Sequence, residues 1–336
     1  MNRSPDDGDV SADELTRLEH SVPVPHVVIL GAGASVAAFP NGDARGRRLP
    51  VMKNLIQVLG LQDLIARTGH DSHLDFETLY STLRAADPQS PIVEQIEHCV
   101  EAYFSNLELP EHPTLYDYLL LSLRDKDAIF TFNWDPFLVD TYNRHMGSVK
   151  LPHIFHLHGN VRVAYCDHCG IATDKEQLCR TCRHPLTPTR LLYPVVEKDY
   201  DEAGFISTQW QQARDFLKRA FIITIFGYSA PSTDQAAMRI FDKAWGTEHL
   251  RLNKRVEIID IRDVNELGSQ WSPFSHYSHY DLHRSLFESL LCRYPRRSCE
   301  AWFYISFDGN FVDHQPWSGN IQGLQQSVQT LQAHEK

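Results

Sequence analysis

The sequence predicts an α/β fold: a mainly parallel sheet with helices on both faces, a helical insertion and a small zinc-ribbon module. Three observations predict it. Short β-branched apolar runs, most of them followed by polar loops, recur from His26 to Ile261, as expected of parallel strands covered on both faces. The first run breaks into Gly31-Ala32-Gly33-Ala34-Ser35, which reads as a tight strand-to-helix turn of the kind that can accept a phosphate. Cys166, Cys169, Cys179 and Cys182 form two C-x2-C pairs. Two such knuckles complete a tetrahedral thiolate shell for one structural Zn2+.

Composition narrows the class. A chain of 336 residues is long for one domain, so a large domain carrying a module, or two domains, is expected. Its 42% hydrophobic and 22% charged residues are ordinary for a globular protein. The net charge of −11 argues against direct nucleic-acid binding. Apolar runs such as Val27 to Ala34 are too short to span a membrane. The N-terminus carries Asp6, Asp7, Asp9, Asp13 and Glu14, unlike a secretory or mitochondrial leader. A soluble cytoplasmic protein is therefore expected, where cysteines serve metals rather than disulfides.

Residues 1–25 read as an acidic tail. His26 to Leu30 is a buried strand, and Val36 stands where a dinucleotide fingerprint would carry its third glycine. Residues 52–124 place apolar side chains at helical spacing, for example Leu79 and Leu83, then Ile92, Ile96, Val100 and Phe104. This is a helical insertion, either a packing layer or a lid or partner surface. Strands are expected at Ala128 to Phe132, Ile154 to Leu157, Leu191 to Val196, Phe221 to Phe226 and Val256 to Ile261, with one more at Trp302 to Phe307. Residues 311–336 form a C-terminal surface segment, helical and polar from Gln322 onward.

Ligands of such sheets bind beyond the carboxyl ends of the strands, so the residues there are the candidate site. They are Gly31 to Gly33, Asn133 and Asp135, His158 with Gly159, Gly227 to Ser229, and Asp260 to Asp263. Glycine turns can accept phosphates, an amide and a carboxylate can orient an amide or ribose, and a histidine can exchange a proton near neutrality. For Asp260 and Asp263 a ribose contact competes with plain surface charge, and for Arg45, Arg47 and Arg48 a pyrophosphate contact competes with a solvated loop. His156, two residues before His158, reads as packing or support for the zinc module.

The ordered set GAGAS, TFNWD, HLHGN, CDHC with CRTC, LLYP and FGYS resembles the sirtuin family of NAD-consuming enzymes over roughly Val27 to Asp263. The resemblance implies a Rossmann-like NAD-binding domain (residues 26–51, 125–160 and 190–310) with a zinc-ribbon module (residues 161–189). It also implies the site residues: Gly31, Ala32, Gly33 and Ser35 on the dinucleotide loop, Asn133 and Asp135 in the nicotinamide and ribose pocket, and His158 as the catalytic histidine. Gly227 and Ser229 match the second phosphate and ribose loop, and the four paired cysteines match the zinc ligands.

The departures carry the functional expectation. The segment after the first glycine loop reads VAAFPNGDARGRRLP rather than resembling AGIPDFR, and LLYPVVEKD and FGYSAPSTD replace the segments that line the peptide cleft of acyl-lysine enzymes. FGYS followed by Asp234 resembles the bacterial sirtuin-like NAD hydrolases of anti-phage defence. The expected activity is cleavage of NAD to nicotinamide and ADP-ribose or a cyclised product, with catalytic Asn133, Asp135 and His158. The alternatives are an NAD-dependent deacylase or ADP-ribosyltransferase, and a non-catalytic NAD-sensing subunit. Because unchecked NAD depletion is toxic, control by a homo-oligomer or a regulatory partner protein is expected.

Overall fold

The computed structural model describes residues 23–71, 74–174, 178–194, 204–230, 234–245, 254–263, 267, 271, 279–306, 317–333 and 335. Its centre is a six-stranded sheet. In chain order the strands are β1 (His26–Leu30), β2 (Ala128–Thr131), β3 (His153–His156), then, after the small module, β7 (Ile222–Phe226), β8 (Arg255–Ile259) and β9 (His279–His283). The module contributes β4 (Val163–Tyr165), β5 (Ala172–Asp174) and β6 (Thr187–Pro188), paired antiparallel in the order β5-β4-β6.

The large sheet runs β3-β2-β1-β7-β8-β9 and every pairing in it is parallel. Counted within that sheet alone, this is the doubly wound Rossmann order, whose direction of growth reverses beside β1. Alternation along the strands supplies two apolar faces. Val27, Ile29, Ala128, Phe130, Ile223 and Ile225 point to one and Val28, Leu30, Ile129 and Phe226 to the other, all nearly or fully buried.

The helices cover both faces. In chain order they are α1 (Ala32–Ala38), α2 (Leu55–Val58), α3 (Gln62–Ala66), α4 (Phe76–Ala86), α5 (Pro91–Ser105), α6 (Leu115–Leu121) and α7 (Phe137–His145). There follow α8 (Phe205–Arg219), α9 (Gln235–Trp245), α10 (Leu290–Arg293), α11 (Ser298–Ile305) and α12 (Ile321–Gln332). Side chains from α2 to α7 form one continuous core with Val28, Leu30 and Ile129, whereas Trp210, Ala213 and Leu217 of α8 and Phe241 of α9 pack on the opposite face. The insertion is therefore a packing layer welded to the sheet. On α12, Leu324 and Val328 are fully buried against Leu121 and Val149.

Two expected strands are corrected. Residues 191–194 have no strand pairing, and residues 195–196 lie outside the described residues. Backbone contacts there serve the site instead, with the Leu192 amide donating to the His158 carbonyl at 2.9 Å. The second is Trp302 to Phe307, of which residues 302–305 belong to α11 and Phe307 lies outside the described residues. Its β-branched and aromatic character suggested a strand, but burying Cys299, Ala301 and Trp302 against Ile222 and Tyr294 is achieved by a helical stripe. The sixth strand is β9, whose sequence HYDLH carries too little apolar pattern to announce itself.

At the sheet's centre the β1 and β7 turns touch backbone to backbone. The Gly33 amide donates to the Gly227 carbonyl at 2.9 Å, and Gly227 has φ +61°. A Cβ on Gly227 would lie 2.1 Å from the Ala34 nitrogen. Gly227→Ala should therefore destabilise by more than about 3 kcal/mol, because backbone must move. Gly60→Ala, also at positive φ but with open space around it, should cost only about 1 kcal/mol. Chemical denaturation midpoints compare them, and equal losses would show that the contact imposes no constraint.

Candidate active site

Asn133 and His158 each stand two residues beyond the end of neighbouring parallel strands, and the paired strand ends are Thr131 and His156. The sheet register thus brings the two candidate catalytic residues to the same edge at the same level. Both are buried.

The Asn133 side chain is held by its nitrogen. Nδ2 donates to the Gly31 carbonyl at 3.0 Å, the Ser35 hydroxyl at 3.0 Å and the Tyr116 hydroxyl at 3.2 Å. A carbonyl can only accept, so the Gly31 contact settles which end of the amide is nitrogen. The remaining polar atom of that side chain, Oδ1, has no hydrogen-bond partner among the described residues. It is the acceptor this network offers to a ligand.

Asp135 anchors the network rather than facing outward. Oδ2 accepts from the Ser35 hydroxyl at 2.6 Å and Oδ1 from the Phe137 amide at 3.2 Å, which starts α7. Asn160 ties down the same loop, its Nδ2 donating to the Asp135 carbonyl at 2.7 Å. Burial pushes the Asp135 carboxyl up to about 6, against the hydrogen bonds from Ser35 and the Phe137 amide.

His158 is framed differently. Phe132 meets its ring edge-on at 4.7 Å and stacks on Tyr228 at 4.3 Å. The Asp234 carboxylate lies 3.8 Å from Nε2, beyond hydrogen-bond length, and is itself held by the Tyr228 hydroxyl at 3.0 Å. A carboxylate so placed offsets the charge of a ring that has taken up a proton. His156 is buried, its amide donating to Gln209 at 2.9 Å, and burial lowers its pKa to about 4, so its ring is neutral.

The remaining sequence candidates are spread along the same edge. Gly31, Ala32, Gly33 and Ser35 form the β1 turn and the start of α1, and the Gly31 and Gly33 amides donate to the Phe226 and Gly227 carbonyls. The glycines are thus already required by loop contact. Ser229 is exposed after β7. Asp260 follows β8 and engages Arg262 at 2.7 Å. Arg45 and Arg47 are paired with Glu108 and Asp43. Sequence reasoning missed Tyr116 and Asn160 as members of the site. Asn160 lies within the HLHGN run, whereas Tyr116 sits among apolar helix positions and carries no signal in the sequence.

The four paired cysteines converge. Their sulfurs all lie within 4.8 Å of one another, with Cys166 and Cys182 at 3.4 Å and Cys169 and Cys179 at 4.0 Å. Sulfurs around tetrahedral zinc at about 2.3 Å lie about 3.8 Å apart, so the quartet fits Zn2+. Each knuckle turns through a left-handed residue, Gly170 at φ +66° and Arg183 at φ +64°. The group sits in the β4–β6 module, where a closed thiolate shell stabilises the fold and does no chemistry.

No family model matches the chain, and no curated protein does. Among solved structures, a Sir2 homologue in complex with NAD is similar at 16% identity and a TM-score of 0.40, over 88% of this chain and 96% of that one. A mutant Sir2 homologue in complex with ADP-ribose shows 15% identity and a TM-score of 0.42, over 89% and 99%. Sir2 bound to acetylated peptide shows 14% identity and a TM-score of 0.38, over 89% and 98%. Likenesses this distant assign no residue a role. Among the described residues no helix is long and apolar enough to cross a membrane.

Two measurements check the site. Because the folded Asp135 carboxyl titrates near 6 rather than 3.8, its protonated form is the one the fold favours. Its contribution is present below pH ~4 and lost as pH rises through ~6, a change of at most about 3 kcal/mol. Asp135→Asn should remove that pH dependence from the melting temperature, and an unchanged profile would contradict the burial. Metal analysis should find about one zinc per chain, lost in Cys179→Ser; undiminished zinc in that variant would remove Cys179 from the ligand set.

Proposed function

We propose that the protein is an NAD hydrolase that cleaves the nicotinamide–ribose bond to give nicotinamide and ADP-ribose or a cyclised product. The observation that carries this reading is the pairing of Asn133 and His158 at one sheet edge, with the Asn133 amide locked by its nitrogen so that Oδ1 is offered. The motif set that resembles the sirtuins supports NAD as the substrate, and the replaced peptide-cleft segments favour water over an acyl-lysine.

The reaction suits these residues. Nicotinamide leaves a cationic ring as a neutral molecule, so its departure needs no general acid. What is required is orientation of the ribose and water, and a base for the attacking hydroxyl. Asn133 Oδ1 accepts from the ribose or the water. His158 accepts the proton, and Asp234 offsets the charge that results. Asp135 acts through Ser35 and the start of α7, holding the loop that carries Asn133; its inward hydrogen bonds favour this over direct contact with the carboxamide. The Gly31 to Ser35 turn, Gly227 and Ser229 border the place for the pyrophosphate and adenosine ribose, with Asp260 further along the edge.

In this reading the protein depletes NAD when triggered, as an effector of anti-phage defence in the cytoplasm, and a homo-oligomer or a regulatory partner keeps it quiet at rest. The decisive assay incubates pure protein with NAD alone. Nicotinamide should be released without peptide, and His158→Ala and Asn133→Ala should lower turnover roughly 10²- to 10⁴-fold with melting temperature retained. Release only on adding an acylated peptide would make it a deacylase. Tight NAD binding with no release in any oligomeric state would make it a sensor.

A further inference from the structure

We propose that Tyr116, delivered by the helical insertion, is a positioning residue that fixes the Asn133 carboxamide for the reaction. This rests on the role given to Asn133 above. Tyr116 is almost wholly buried, 1% exposed, and its hydroxyl meets both Ser35, at 2.6 Å, and Asn133, at 3.2 Å. Burial, then the Asp135 charge, hold the phenol far above its ordinary pKa, so it keeps its proton. With Asp135 ionised, the Ser35 proton goes to that carboxylate and Tyr116 must donate to Ser35. The phenol oxygen is then left as an acceptor for Asn133 Nδ2. One hydroxyl thereby orients two side chains.

The helix that carries Tyr116 is pinned with unusual thoroughness. Asp117, the next residue, is fully buried and accepts from the Thr114 amide at 2.6 Å and hydroxyl at 2.8 Å, which caps α6. It also accepts from Arg144 at 3.1 Å and is hydrogen-bonded to His145 Nε2 at 2.9 Å, both at the end of α7. Helix α7 begins on the Asp135 carboxylate. The loop bearing Asn133 and the helix bearing Tyr116 are thus fastened to one another at both ends of α7. Gln325 of α12 closes the set on His145 Nδ1 at 3.2 Å. Such bracing holds a catalytic group to the tolerance that catalysis requires, and small misplacements there can cost up to about 10²-fold.

The test is Tyr116→Phe, which deletes the hydroxyl and keeps the ring against Phe39. Tyr118→Phe is the control: it also loses a hydroxyl from α6, one that reaches the Ser318 carbonyl at 3.4 Å. In spectra of protein labelled with 15N at asparagine, the Asn133 side-chain signals are assigned by their loss in Asn133→Ala. In Tyr116→Phe they should shift and lose protection from solvent exchange, and in Tyr118→Phe they should not. Nicotinamide release from NAD should fall roughly 10- to 100-fold in kcat with KM within about twofold. Unchanged Asn133 signals, or altered signals with turnover within twofold of the native protein, overturn the proposal. Native protein that releases no nicotinamide overturns the hydrolase reading instead, and the spectra alone then decide whether Tyr116 positions Asn133.

Discussion

The Ser35 hydroxyl is the junction on which the site depends. It donates to Asp135, receives from Asn133 and meets Tyr116, so it joins the β1 turn, the loop after β2 and the helical insertion at one buried point. The β1 turn is thereby joined to a helix 81 residues further along the chain and to a loop 98 to 100 residues away. Buried polar groups must be paired, and here each member is satisfied mainly by the others. The arrangement is therefore specific: moving any one segment breaks hydrogen bonds among buried side chains.

That junction could not form without the glycine contact beside it. The β1 and β7 turns approach until the backbone of Gly33 lies against Gly227, which places the start of α1, and hence Ser35, under the sheet edge. The same glycines that sequence reasoning assigns to a phosphate are needed first for the chain to pass itself. Their amides are partly used in doing so. Affinity for an anion at this edge must draw on other groups in addition.

The two catalytic candidates sit in contrasting surroundings. Asn133 is locked in a polar network and offers one acceptor, while His158 is bounded by an aromatic ring and faces the Asp234 carboxylate across 3.8 Å. One environment suits fixed orientation and the other suits a change of charge. The zinc module stands apart in chemistry but not in connection: the Thr189 hydroxyl, just after β6, donates to the Asn160 carbonyl at 2.8 Å, and Asn160 holds the Asp135 loop.

Local features were legible in the amino-acid pattern. The β-branched runs marked β1, β2, β3, β7 and β8, the cysteine spacing marked the metal quartet, and residues at strand ends marked the edge on which Asn133 and His158 both lie. Parallel strands read clearly because both faces demand apolar side chains. Where local pattern was weak or misleading, tertiary structure decided. β9 pairs through its backbone despite a polar sequence, Trp302 to Ile305 coil because a helical stripe fits the pocket beside Ile222, and residues 191–194 serve the His158 loop without sheet pairing. Tyr116 is the sharpest case. In sequence it is one aromatic residue in an apolar helix, and only the packing of α6 against α7 brings its hydroxyl to Asn133, because a hydrogen bond between two separate elements leaves no mark on the local pattern of either.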